Sequence, residues 1–155
     1  DTPAVLRRVD ALGSERSVSL YKGTAEESLR GIAPYLVRLD FATYDWLVES
    51  EWTEPWGILV LADGDLDTLR RHFRRFLIVE SPNGDPWYFR FYDPRVLTKF
   101  LPTLDHAGVD DFFGPVRAFG AVDPMSYGVR ITTIQTDPAS GRSRPVVVKR
   151  LTETA

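Results

Sequence analysis

The run Trp87–Leu104, WYFRFYDPRVLTKFLPTL, restricts what this chain can fold into more than any other stretch. In its first half Trp87, Phe89 and Phe91 alternate with Tyr88, Arg90 and Tyr92. A strand over 87–91 would therefore send three large rings to one face and an arginine between two tyrosines to the other. Asp93-Pro94 then combines a side-chain acceptor for helix-start N–H groups with a residue suited to the first helical position. Val96, Leu97, Phe100 and Leu101 follow at three-to-four spacing on one helical face, and Pro102 marks the end. The unit predicted is strand, sharp turn, short helix.

Two arginines in this unit call for partners. Arg95 falls in the first helical turn, where the helix dipole disfavours a cation by roughly 0.3–1 kcal/mol. A carboxylate such as Asp93, or a ligand or partner protein, has to offset it. Arg90, flanked by Tyr88 and Tyr92, can lay its stem on aromatic rings and present a planar donor fork. It fits either an internal salt bridge or recognition of a partner. The aromatics of the run fit either a core or interface anchors.

The rest of the chain reads as one α/β domain, a mixed β-sheet flanked by helices and closed by a C-terminal β-hairpin. Val5, Leu6, Val9 and Leu12 predict an amphipathic helix ending near Gly13. Short strands are expected over 17–21 and from Pro34 to Leu39, with a polar helix or turn over 24–30 between them. A helix over 42–52 should turn Tyr44, Leu47 and Val48 inward. WGILVLA, from Trp56 to Ala62, is apolar throughout, the pattern of a strand covered on both faces, and marks the centre of the sheet. A helix over 65–76 carries Leu66, Leu69, Phe73 and Phe76 on one stripe, with Arg70, Arg71, Arg74 and Arg75 largely off it. Those arginines fit a solvated face or an anion site. Asn83-Gly84 signals a hairpin joining the strands over 77–81 and 87–91, which makes them antiparallel. A short helical or looped segment over 109–113 closes at Gly114-Pro115, and strands follow over 116–122, 127–135 and 145–151.

Composition narrows the chemistry. The 155 residues are 43% hydrophobic and 26% charged, the balance of a folded globular protein long enough to bury roughly 70% of its unfolded surface. A net charge of −3 argues against nucleic-acid binding. No apolar run approaches the roughly 18 residues of a membrane span, and membrane insertion is not expected. The absence of cysteine removes disulfides, thiolate nucleophiles and cysteine-ligated metals. Alternating acids over Asp63–Asp67 fail the calcium-loop pattern, because Thr68 and Arg74 stand where that loop needs glycine and a bidentate acid. They suit helix capping instead. His72 and His106 lie on separate segments. His106 with Asp110 is the least implausible metal pair, but it lacks paired-histidine spacing, so no metal and no cofactor are expected. Neither a G-x-S-x-G elbow nor a phosphate-binding loop is present.

FRFYDPRVL, followed by FLPTL, preceded by APYLVRL and succeeded by FFGPV, forms an ordered series over about residues 17–121. The series resembles the bacterial effector chaperone, or adaptor, domain of type VI secretion, catalogued as a domain of unknown function. The resemblance implies a cytoplasmic, non-enzymatic protein that binds one effector and helps load it onto the spike protein of the secretion apparatus. Together with Arg90 between two tyrosines and Arg95 in an unfavourable helix position, it places partner binding on Tyr88, Arg90, Tyr92 and Arg95. It gives Asp93, Pro94, Pro34, Tyr35, Gly114 and Pro115 the role of structural motif. It also implies an apolar strand before the first helix and a more helical lobe after FFGPV. This sequence lacks that strand before the helix over 3–12, which would leave the sheet edge beside it open to another chain, and it ends soon after the hairpin. The alternative from another class is a small enzyme or anion-binding domain using Arg90, Asp93 and Arg95, with His72 as a further candidate.

Overall fold

Aspartates start the helices. In the computed structural model, which describes residues 2–49, 57–123 and 128–151, the carboxylates of Asp40, Asp65, Asp93 and Asp105 accept backbone N–H groups of Thr43, Thr68, Arg95 and Gly108. Each satisfies a donor that the first helical turn would otherwise leave unpaired. These caps begin α3 (Phe41–Glu49), α4 (Leu66–Arg74), α5 (Pro94–Phe100) and α6 (His106–Phe113). Two helices precede them, α1 (Thr2–Leu12) and the short α2 (Thr24–Ser28). Gly13 stops α1 in a left-handed conformation, φ 72°. The motif Phe100–Leu104 closes α5 through a 3-10 turn at Leu101–Thr103.

The strands divide among three sheets, and every described pairing is antiparallel. β1 (Ser17–Ser19) pairs β2 (Tyr35–Val37). β3 (Ile58–Ala62) joins β6 (Val116–Asp123), β7 (Gly128–Thr136) and β8 (Ser143–Leu151) in the order β3-β6-β7-β8. β4 (Ile78–Glu80) and β5 (Pro86–Tyr88) form a hairpin around Asn83-Gly84. The α/β class and the C-terminal β7–β8 hairpin expected from the sequence are what form.

Phenylalanines between residues 73 and 119 build much of the core. Phe73 stacks on Phe91 at 5.2 Å between ring centres, Phe91 meets Phe112 edge-on, and Phe112 and Phe113 both contact Phe119. Leu20, Leu77, Leu97, Leu101, Val109 and Val116 complete it. Ile58, Val60 and Ala62 pack on this core from one side of β3.

Three expectations are corrected. β3 is an edge strand, hydrogen-bonded among the described residues only to β6, and its Leu61 is 62% exposed. A continuous apolar run reports composition, not how many neighbours a strand has. Trp87 is exposed rather than core-facing, because β5 ends at Tyr88 and, among the described residues, no second layer covers the outer part of the β4–β5 hairpin. Alternation placed the rings of Trp87 and Phe89 on one side without supplying anything for Trp87 to pack against. Tyr44 is half exposed instead of turned inward. Trp52, Trp56 and Tyr127, included in predicted elements, lie outside the described residues, as do the side chains of Leu47 and Val48.

Candidate functional site

The turn between β5 and α5 is built on a buried carboxylate. Asp93 accepts the Arg95 backbone N–H at 2.9 Å and, side chain to side chain, Arg95 Nε at 3.0 Å and Nη2 at 2.6 Å. One residue thus caps the helix and neutralises the cation in its first turn. Pro94, buried beside it, occupies the first helical position. Hydrogen bonds from Arg95 hold the Asp93 carboxyl below its ordinary range, against the opposing effect of burial. Arg90 stands 3.9 Å from the same carboxylate with its side chain 62% exposed. Two guanidinium groups therefore share one carboxylate, and Arg95 holds the close geometry.

Tyrosines surround Arg90. Burial raises the Tyr92 phenol, and the adjacent Arg90, charged and hydrogen-bonded to it, opposes the rise. Tyr21 is raised by burial and further by the nearness of Tyr92 and Tyr88, with Arg90 again opposing. Tyr21 lies just past β1 and was not singled out in the sequence, where nothing local ties it to a segment some 70 residues on. Arg70 fixes it there: its Nη2 donates to the Tyr21 carbonyl at 2.7 Å and to Glu26 at 3.1 Å. Arg70 is thus a tie between α4 and the β1–α2 region, not part of a solvated face. Beyond the tyrosines the hairpin presents Ile78 opposite Tyr88 and Val79 opposite Trp87, all exposed. Tyr88, Arg90, Tyr92 and Arg95 are brought together at the base of this hairpin.

The other motif residues hold elements in place. The Pro34 carbonyl accepts Leu20 N–H and the Tyr35 hydroxyl donates to the Arg30 carbonyl, fixing the β1–β2 corner. The Pro115 carbonyl accepts Asp63 N–H at the end of β3. Gly114 adopts φ 47°, and a Cβ there would fall 2.5 Å from His72 Cε1. His72 is buried, its Nε2–H donating to the Phe112 carbonyl at 2.8 Å. Burial depresses its pKa, so the neutral ring is the native form. None of its contacts among the described residues is to Arg90, Asp93 or Arg95, and His72 packs α4 against α6.

Asp63 pairs with Arg117, and Asp65 caps α4. His106 and Asp110 lie exposed on α6, and among the described residues no three potential ligands converge on a metal position. A cleft of about 650 Å³ lies between α1, β1, α2 and β2. Two ion pairs lie in it, Asp10 with Arg30 and Glu26 with Arg70, and Glu27 also lines it. No described helix is long and apolar enough to cross a membrane.

Residues 1–110 match a family model described as Domain of unknown function (DUF4123). The chain belongs to this family. No curated protein and no solved structure matches it. The matched part of this DUF4123 domain contains the whole Arg90–Arg95 turn and stops inside α6, short of Phe112, Phe113 and β6.

Proposed function

We propose that this DUF4123 domain is a cytoplasmic adaptor that binds a type VI secretion effector and helps load it onto the spike protein, without turnover of its own. The carrying observation is the exposed surface running from the β4–β5 hairpin into the Asp93 turn. On one side of the hairpin Tyr88 is 68% exposed, with Ile78 and Arg90 beside it, and on the other Trp87 is 59% exposed next to Val79. Aromatic and arginine side chains set in an apolar patch are the residues that dominate protein–protein binding energy. The motif series of the sequence points to the same adaptor role.

The anion-binding or enzymatic alternative draws less support from the geometry. Asp93 already fills the fork of Arg95, so a phosphate or carboxylate substrate would compete with a buried internal anion.

The experiment is a pull-down with candidate effectors encoded beside a spike gene. The parent protein should retain one of them. Tyr88→Ala and Arg90→Ala should melt like the parent and lose the effector by well over tenfold, since removing an interface arginine typically costs about 2–5 kcal/mol. Retention of no such effector by the parent, or parental affinity in both folded variants, would sink the reading.

A further inference from the structure

We propose that the outer face of the β4–β5 hairpin pairs with the same face of a second copy of this chain, as a two-fold antiparallel contact. The inference does not rest on the adaptor reading, and because both use Tyr88 and Arg90, the second copy and an effector would occupy this face in turn. It follows from what the hairpin register puts on one face. Ile78 sits opposite Tyr88, and Glu80 opposite Pro86. Two residues apart along each strand, these pairs share a side, while Val79 and Trp87 point to the other. The ladder continues past β5, since Phe89 N–H bonds the Leu77 carbonyl, so Arg90 follows Tyr88 on the same side.

The face therefore reads, from base to tip, cation, apolar centre, anion: Arg90, then Tyr88 with Ile78, then Pro86 with Glu80. Arg90 and the Glu80–Pro86 pair stand at equal distances from the centre, two residues or about 6.6–6.8 Å each way. A two-fold axis through the Tyr88–Ile78 pair lays each Arg90 over the other copy's Glu80 and each tyrosine ring against its counterpart. An isologous contact needs such a self-complementary patch. The charge is available for it. Asp93 is held closely by Arg95 and lies 3.9 Å from Arg90, whose guanidinium remains largely in solvent. No other partner is so fully specified, because every feature of this face has its complement on the same face. The contact is small beside standard protein interfaces, so the dimer should be weak and concentration-dependent.

Sedimentation equilibrium of the full chain over a wide concentration range tests this. The parent's average mass should rise from monomer toward dimer. Glu80→Arg and Arg90→Glu should each weaken association about tenfold or more, because both symmetry-related pairs become like-charged. The double exchange should recover most of the parental association. Glu80 is far from the Asp93 carboxylate, so Glu80→Arg keeps the test valid if Arg90→Glu disturbs the turn, and Tyr88→Ser should weaken the dimer without a charge change. A parent that stays monomeric at every concentration overturns the proposal. So does a folded Glu80→Arg variant that associates like the parent, or a folded double exchange no better than its single variants.

Discussion

Asp93 serves two purposes with one side chain, and both are lost together on truncation. Asp93→Ala removes the α5 cap and leaves Arg95 without the anion that offsets the helix dipole. The expected cost is about 2 kcal/mol, read as a fall of about 4–8 °C in Tm for a chain of this size. The depressed carboxyl gives a contribution that is complete above about pH 4 and is lost as pH falls through the lowered native value. His72 acts in a higher window with the same sign. Its native pKa lies below the unfolded value of about 6.5, so acidification from that point protonates the unfolded chain first and destabilises the fold. Denaturation midpoints measured between pH 7 and 5 should fall for the parent, and fall less steeply for His72→Gln. An equal slope in both proteins would show that His72 is not the group responsible.

The local elements were largely legible in the sequence because their signals are local. Asp-Pro at 93–94, Asp65 before the Leu66 stripe and Asn83-Gly84 each name a start or turn within a few residues. Neighbourhood was not legible. The alternation of Trp87, Phe89 and Phe91 fixed a common side, yet only Phe91 lies in the core, because the hairpin outruns the layer behind it. WGILVLA likewise gave a strand but not its place at the sheet edge. Tyr21 joined the arginine cluster through Arg70, a contact 49 residues apart that no periodicity records. The aromatic pair Trp87 and Phe91 separates these two kinds of information experimentally. Trp87→Ser should shift stability by no more than about 0.5 kcal/mol, whereas Phe91→Ala should cost about 3–5 kcal/mol. Chemical denaturation of both variants decides it. A comparably large loss for Trp87→Ser would mean that the Trp87–Val79 side of the hairpin is covered in the native monomer.

At the scale of the whole molecule, the family match and the folding unit have different ends. The match closes at residue 110, but Phe112, Phe113, Val116 and Phe119 supply much of the core, and β3 takes its described pairing from β6. A fragment ending at residue 110 should lack a cooperative thermal transition, while the full chain shows one; a sharp transition in the fragment would place the stabilising core in the matched part alone. The pairing of β3 with β6 also orders events in time. Ile58 faces Ala121, 63 positions later (121 − 58), so an apolar edge is synthesised long before its partner exists. Non-local strand pairing is slow, and an unpaired apolar strand is exposed to aggregation while it waits. Substitutions that delay the arrival of residues 116–123 on β3 should therefore reduce soluble yield from the ribosome at unchanged Tm, a defect of birth rather than of the finished protein.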